Sequence, residues 1–217
     1  AGAALILGPL GWGLAAAPTD YLQGESVRIL YVHVPAAWLA MGGWTGMAVA
    51  SLMQLVWRHP LAAVAARAIA VPGAVFAFLC LATGSLWGRP TWGTYWEWDG
   101  RMTSMLVMLF LYLGFIALAS AEKEKGGEGR TTAIFGLVGA VNLPVIHYSV
   151  VWWNTLHQGQ SISFVSASST IDSSMLWPLL ASALGFSLLF GAVVLMRMRA
   201  ELARTKVEAR LKRMASE

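Results

Sequence analysis

The chain has 217 residues, of which 57% are hydrophobic and only 12% are charged, and its mean hydropathy is +0.61. This composition excludes an ordinary soluble domain, in which about a quarter of the residues are charged. The net charge of +4 does not indicate nucleic-acid binding, because the basic residues gather between apolar runs and near the carboxyl terminus. The lone cysteine, Cys80, excludes an internal disulfide and a thiol metal cluster.

Six apolar runs follow one another along the chain, at about residues 1–17, 29–57, 68–87, 103–121, 131–151 and 176–197. Most of them approach the roughly 20 residues that a membrane-spanning helix needs. No repeat, low-complexity tract or soluble insertion interrupts the series. The predicted fold is therefore all-α, a polytopic membrane protein with six transmembrane helices that form a single domain over residues 1–217.

The distribution of basic residues predicts the orientation of these helices. Lysine and arginine are frequent in the loops after the second and fourth runs and in the tail at 198–217, and they are sparse in the other loops. Because cytoplasmic loops are enriched in these residues, both termini are predicted to be cytoplasmic. The segments 18–28, 84–104 and 152–175 are then predicted to lie together on the outer face.

The outer segment WGRPTWGTYWEWDGRMTS, at 87–104, holds four tryptophans within twelve positions, together with a tyrosine and paired charges. Tryptophan commonly marks the lipid–water boundary, where its ring lies in lipid and its indole N–H meets water. An anchoring belt would need fewer such residues at one helix end. The density of aromatic rings therefore predicts a platform for a large flat ligand.

Three of the four histidines, His33, His147 and His157, are predicted at or near outer helix ends, whereas His59 lies in a cytoplasmic loop. An ionisable side chain at membrane depth is costly and is a functional candidate for that reason. A hydrogen bond between helices would also account for each of them, and for His147 the two interpretations are equal. Because neutral imidazole is a common axial ligand of haem iron, we predict that His33 and His157 bind such an iron from opposite faces.

The arginines of the outer face are candidate partners for the two haem propionates, because a guanidinium matches a carboxylate in a two-pronged hydrogen bond. Arg28, Arg89 and Arg101 are the candidates. A local pair with Asp99 or Glu97 is the alternative for Arg101. Asp99 is also well placed to cap the fourth predicted helix, so capping and ligand binding both stay open for this carboxylate.

The tryptophan-rich segment resembles the WWD signature of haem-handling membrane proteins. Nearly the whole chain resembles one family of that group, the haem exporter protein C (CcmC) family of bacterial cytochrome c maturation. Three further stretches carry the resemblance: YVHVPAA at 31–37, VNLPVIHYSV at 141–150 and WWNTLHQG at 152–159. The resemblance implies that His33 and His157 are axial ligands of haem b, and that the haem edge lies on a platform formed by Trp87, Trp92, Trp96, Trp98 and Asp99.

The same resemblance implies a multi-pass protein of the bacterial inner (plasma) membrane that presents haem at the periplasmic face. The implied acceptor is the haem chaperone CcmE, which attaches the haem covalently during c-type cytochrome biogenesis. Further implied partners are an ABC-type complex, CcmA and CcmB, and a small single-helix subunit, CcmD. The sequence has no GxxxxGK[ST] phosphate-binding motif, so ATP hydrolysis is assigned to those partners.

The expected activity is haem handling and transfer rather than conventional enzyme catalysis. One alternative is a transmembrane haem transporter subunit, which would need polar or interrupted helices along a path through the midplane. Charges are almost absent from the predicted spans, which disfavours that alternative. A b-type electron carrier is a weaker alternative, because it would normally need two haem sites at different depths.

Overall fold

A computed structural model describes residues 8–127, 129–153, 155–159, 161–163 and 168–215. Residues 8–11 are helical and lead into a π-helical turn at Trp12–Ala16, which a 3-10 helix at Glu25–Ile29 follows. The longer helices are α1 Leu30–Trp57, α2 Ala62–Trp92, α3 Gly100–Glu124, α4 Arg130–Gly139, α5 Asn142–Trp152 and α6 Ser173–Met214. Two short strands, β1 Ile162–Ser163 and β2 Ser168–Ser169, pair antiparallel between α5 and α6.

Five helical segments among the described residues are long and apolar enough to cross a membrane: Glu25–Trp57, Ala62–Trp92, Gly100–Glu124, Arg130–Trp152 and Ser173–Met214. They correspond to the second through sixth apolar runs of the sequence. The first run, at 1–17, lies partly outside the described residues. The prediction of an all-α polytopic membrane protein is confirmed, and the orientation of its termini stays a prediction.

Helix α2 extends past its predicted end at residue 87 and includes the first part of the tryptophan-rich segment. It ends at Gly93, whose φ of +81° is readily adopted by glycine. Six residues later Asp99 caps α3, accepting a hydrogen bond from the backbone N–H of Met102 at 2.7 Å. The segment therefore joins two long helices through a short connection, which fixes its position at one end of the bundle.

Trp44 of α1 lies in the centre of the core and is fully buried. Its ring packs edge to face against Tyr112, with centroids 4.8 Å apart, and its indole N–H donates to the carbonyl of Gly136 at 3.1 Å. Gly139 lies against the same ring so closely that a Cβ atom there would overlap the indole. Small residues therefore allow α4 to approach α1, as is common between helices in membranes.

Helix α6 continues beyond its predicted end at residue 197 and packs against the other end of the bundle. The carboxylate of Glu201 in α6 forms ion pairs with Lys123 of α3, at 2.7 Å, and with Arg67 of α2, at 3.3 Å. These contacts join three helices at the end opposite the tryptophan-rich segment. They make the first part of the basic tail a packed element of the fold.

Candidate functional site

A cavity of about 590 Å³ lies at the end of the bundle that carries the tryptophan-rich segment. Helices α1, α2, α3 and α5 contribute to it, together with the loop that follows α5. Its volume and its largely apolar lining with a few convergent polar groups are typical of a small-molecule site. The polar and aromatic side chains that line it include His33, His147, His157, Trp87, Trp92 and Arg101.

His33 lies in the first turns of α1, and its ring is held against α2. Its Nδ1 atom is 3.0 Å from the carbonyl oxygen of Cys80 and 3.2 Å from the hydroxyl of Thr83. Because a carbonyl oxygen can only accept, Nδ1 carries the proton and donates to Cys80. The Nε2 atom then keeps its lone pair. A Cβ atom at Gly84 would lie 2.9 Å from the ring, so glycine at this position leaves space for the imidazole.

His157 follows α5 and is held by a carboxylate. Its Nδ1 atom lies 2.6 Å from Oδ2 of Asp99, and the Asp99 side chain is only 3% exposed. The hydroxyl of Thr155 donates to the same carboxylate oxygen. The backbone N–H of Met102 donates to the other oxygen. As in His33, the protein engages Nδ1 and leaves Nε2 as the nitrogen that can bind a ligand.

The protonation states of the Asp99–His157 pair follow from burial and hydrogen bonding. Burial raises the pKa of Asp99, but donation from Thr155, Met102 and His157 outweighs it, so the pKa lies below its usual value. Burial lowers the pKa of His157, and the nearby Asp99 carboxylate offsets this only in part. At neutral pH the pair is therefore a carboxylate and a neutral imidazole, which is the form of histidine that binds metals.

Each of these two histidines also contacts a tryptophan of the predicted platform. Trp87 packs edge to face against His33, with centroids 5.7 Å apart, and its indole N–H donates to the Gln23 side chain at 2.8 Å. Trp92 packs against His157, with centroids 4.7 Å apart. Both tryptophans line the cavity, so the two histidines and these rings form one surface.

Trp96 and Trp98 occupy a different position from the other two platform residues. They pack against each other, with ring centroids 5.3 Å apart, and neither lines the cavity. Trp98 is 72% exposed, although Asp99, its neighbour in sequence, is buried. The platform therefore has an inner part at the cavity wall and an outer part in which the half-buried Trp96 supports Trp98 at the surface.

The three candidate arginines also divide into two groups. Arg101 lines the cavity, and its Nε atom is buried without a hydrogen-bond partner among the described residues. Arg28 forms an ion pair with Glu25 at 2.5 Å. Arg89 donates to the carbonyl of Gly93 and lies over the Tyr95 ring. Arg28 and Arg89 do not line the cavity, so Arg101 is the one of these three arginines that borders it.

His147 lines the cavity as well, and its ring packs edge to face against Tyr148, with centroids 4.8 Å apart. This position is compatible with both interpretations: a residue that contacts a ligand in the cavity, and a structural residue that contacts its neighbours. His59 lies in the loop between α1 and α2 and is exposed.

Several residues that hold the histidines were not found from the sequence. Thr155 lies two residues before His157, a spacing at which a hydroxyl often binds nearby backbone, and its hydroxyl does accept the backbone N–H of His157 at 3.1 Å. That spacing was an available signal. The contact of His33 with the carbonyl of Cys80 has no sequence signal, because every residue has a carbonyl. Gly84 was likewise visible only as a small residue on a helix.

The side chains of the cavity are better suited to bind a metal that is held in an organic ring than to bind a free metal ion. In the part of the chain that the structure describes, no group of three or more His, Cys, Asp and Glu side chains is arranged around a common point. The imidazoles of His33 and His157 supply only two donors. A porphyrin supplies the other four and offers a flat apolar surface to the tryptophan rings, so the residues of the cavity fit haem.

Comparison with known proteins gives a consistent result over the whole chain. The family model described as "Heme exporter protein C" (CcmC) matches residues 1–213. A protein of that name from Bradyrhizobium diazoefficiens is 52% identical over 210 residues, which cover 96% of this chain and 80% of the relative.

Two further relatives carry the same name. The protein from Escherichia coli K12 is 53% identical over 188 residues, or 87% of this chain and 75% of the relative. The protein from Paracoccus denitrificans is 42% identical over 212 residues, or 97% and 87%. A match to the family over nearly the full length, with identities of this size, establishes membership. The chain belongs to the heme exporter protein C family.

Proposed function

We propose that this protein binds haem b in the cavity, with the iron between His33 and His157, and presents it to the haem chaperone CcmE during cytochrome c maturation. One observation carries the proposal. Both imidazoles line the same cavity while the protein engages the Nδ1 atom of each, so two Nε2 atoms are available for one ligand. Membership in the heme exporter protein C family supports haem as that ligand.

The environment of the two histidines supports binding of the iron through neutral imidazole. A hydrogen bond from Nδ1 fixes the tautomer and the orientation of each ring, as is usual for metal-binding histidines. Trp87 and Trp92 pack edge to face against the two imidazole rings and restrict their orientation further. The protein would therefore contribute two preorganised ligands, and the porphyrin would supply the remaining coordination and the redox chemistry of the iron.

Arg101 is the residue best placed to bind a propionate. Its guanidinium lines the cavity, and its buried Nε atom has no partner among the described residues. A guanidinium beside an apolar cavity favours a carboxylate as its partner, and a propionate of the ligand would supply one. Arg28 and Arg89 are engaged elsewhere, so their assignment to the propionates has no support from contacts.

The outer part of the platform supports presentation of haem at the surface. Trp98 is largely exposed and packs on the half-buried Trp96, and an exposed tryptophan is a common anchor residue at protein interfaces. We place the chaperone contact here, on the periplasmic side of the bacterial inner membrane. CcmA, CcmB and CcmD would be the membrane partners, with ATP hydrolysis on CcmA.

Transport of haem through the bundle is less well supported. The histidines, the carboxylate and the cavity-facing arginine lie at one end of the bundle, on or beside the tryptophan-rich connection. A transport path would need such groups near the midplane, between interrupted helices. The same grouping at one end disfavours an electron carrier with two haems at different depths.

The presentation step is tested with Trp98→Ala in membranes that also contain CcmE. The variant is expected to bind haem as the parent does but to load the chaperone at least about tenfold more slowly, because loss of an aromatic anchor typically costs about 2 kcal/mol at an interface. Covalent haem on CcmE is measured by haem staining after denaturing electrophoresis.

Trp57→Ala is the matched control. Trp57 is also an exposed tryptophan, but it lies at the carboxyl end of α1, away from the tryptophan-rich segment. It is expected to load the chaperone at the parental rate. Parental loading by Trp98→Ala would show that the outer platform is not the contact surface. Absence of haem from the parent protein would contradict the proposed function as a whole.

A further inference from the structure

We infer that the two proposed haem ligands are unequal: Asp99, which Thr155 helps to hold in place, makes His157 the retained, electron-rich ligand, and His33 is the ligand that leaves when haem is passed on. This inference rests on the proposed function and adds an order of events to it. It follows from the hydrogen-bond acceptor to which the Nδ1 atom of each imidazole donates. Asp99 and Thr155 are positioning residues here, since they act through His157.

The partner of His157 is a buried negative charge. The distance of 2.6 Å between Nδ1 and Oδ2 of Asp99 is short for a nitrogen–oxygen hydrogen bond, and the carboxylate is almost completely shielded from solvent. Charge-assisted hydrogen bonds of this kind are roughly twice as strong as neutral ones. Donation to a carboxylate also raises the basicity of the other ring nitrogen, so Nε2 of His157 is a strong electron donor.

The Asp99 carboxylate is itself fixed by three donors from two parts of the chain. His157 and the hydroxyl of Thr155 share Oδ2, and the backbone N–H of Met102 binds Oδ1 at 2.7 Å. The last contact anchors the carboxylate to the first turn of α3, a helix that spans the bundle. His157 is in a loop, but its ring is thereby attached to a rigid element.

The partner of His33 is a neutral carbonyl. Nδ1 lies 3.0 Å from the Cys80 oxygen, and the hydroxyl of Thr83 lies 3.2 Å from the same oxygen but only 2.7 Å from the carbonyl of Leu79. A neutral carbonyl polarises the Nδ1–H bond less than a carboxylate does. Nε2 of His33 is therefore the weaker electron donor, although helix α1 holds it in place.

Unequal axial ligands suit a protein that must release what it binds. In the transfer step, the bond between iron and Nε2 of His33 breaks and a donor atom of the acceptor protein takes the vacated position. This is a ligand exchange, in which no electron is transferred and the His33 imidazole stays neutral. The bond to His157 is retained during the exchange, so haem does not become free between the two proteins.

Carbon monoxide provides the test, because it replaces one axial ligand of ferrous haem and its C–O stretching frequency reports the ligand that remains opposite. The experiment uses the full-length haem-loaded protein and infrared spectroscopy of its carbonmonoxy form. His33→Ala is expected to give the parental C–O frequency, since His33 has left in both. His157→Ala is expected to give a different frequency. The reverse pattern, or equal shifts in both variants, would overturn the inference.

The positioning role has its own test in the same spectra. Asp99→Asn keeps the size of the side chain but removes its charge, and we expect a shift to higher C–O frequency because the opposite ligand donates less. Thr83→Val, which removes the hydroxyl beside His33, is expected to leave the frequency unchanged. Thr155→Val serves if Asp99→Asn does not fold. It removes a donor that competes with His157 for Oδ2 of Asp99, so His157 donates more electron density and a shift to lower C–O frequency is expected.

The result also separates this inference from the proposed function. A parent protein that binds no haem would contradict the proposed function. A parent that binds haem through both histidines, with a C–O frequency that is insensitive to Asp99→Asn and to Thr155→Val, would leave the proposed function intact and overturn the unequal roles of the two ligands.

Discussion

Replacing both His33 and His157 with alanine is expected to abolish specific haem binding. Each change removes one of the two imidazoles that line the cavity, and loss of an outer partner of a metal ligand alone typically costs about 10–100-fold in metal affinity. Loss of both ligands themselves should cost more than that, although the apolar cavity would still attract haem weakly. Titration of the purified protein with haem, followed by absorption, measures the effect.

The control for this prediction is His59→Ala, which changes an exposed histidine in the loop between α1 and α2. We expect its haem affinity to equal that of the parent. Either single variant should retain weaker binding with a five-coordinate spectrum, and added imidazole should restore the six-coordinate form. Parental affinity in the double variant would mean that other residues bind the iron, and His147, which also lines the cavity, would be the first to examine.

Trp44→Ala is expected to have the largest effect on stability. Removing a fully buried tryptophan costs about 3–5 kcal/mol in a water-soluble core, and the packing part of that cost persists in a bilayer, where the separated helices also lie in apolar surroundings. The change also removes the hydrogen bond to Gly136 and the contact with Tyr112. We expect a loss of about 2 kcal/mol or more, seen as a lower temperature of irreversible unfolding in detergent.

Trp57→Ala is again the matched control, because it removes the same side chain from the exposed end of the same helix. Its unfolding temperature should stay close to that of the parent. Equal losses in the two variants would mean that the centre of the bundle is not packed as described. Trp44→Phe should fall between the parent and Trp44→Ala, since it keeps an aromatic ring but lacks the indole N–H.

The architecture was largely predictable because a bilayer leaves few alternatives to long apolar helices. The helix ends were less predictable. Arg89 and Pro90 follow an apolar run and resemble a helix stop, yet α2 continues to Trp92. Arg89, Pro90 and Thr91 are exposed there, but Trp92 at the end of the turn packs against His157, and the sequence pattern does not contain that contact.

The candidate site was predictable in its residue types and less so in its arrangement. His33 and His157 are 124 positions apart in sequence, and only the packing of the helices brings them to one cavity. For Asp99, capping and participation in the site were alternatives in the sequence, and the structure has it capping α3 and binding His157 at once. The different surroundings of Trp92 and Trp98 could not be read from a segment in which tryptophans recur every few residues.

The most direct measurement is the low-temperature electron paramagnetic resonance spectrum of the ferric, haem-loaded protein and of its two single-histidine variants. Coordination by His33 and His157 predicts a low-spin signal typical of two imidazole ligands in the parent. It predicts a change to high spin in both His33→Ala and His157→Ala. A high-spin parent, or a low-spin signal that persists in either variant, would contradict the assignment of these two histidines as the axial ligands.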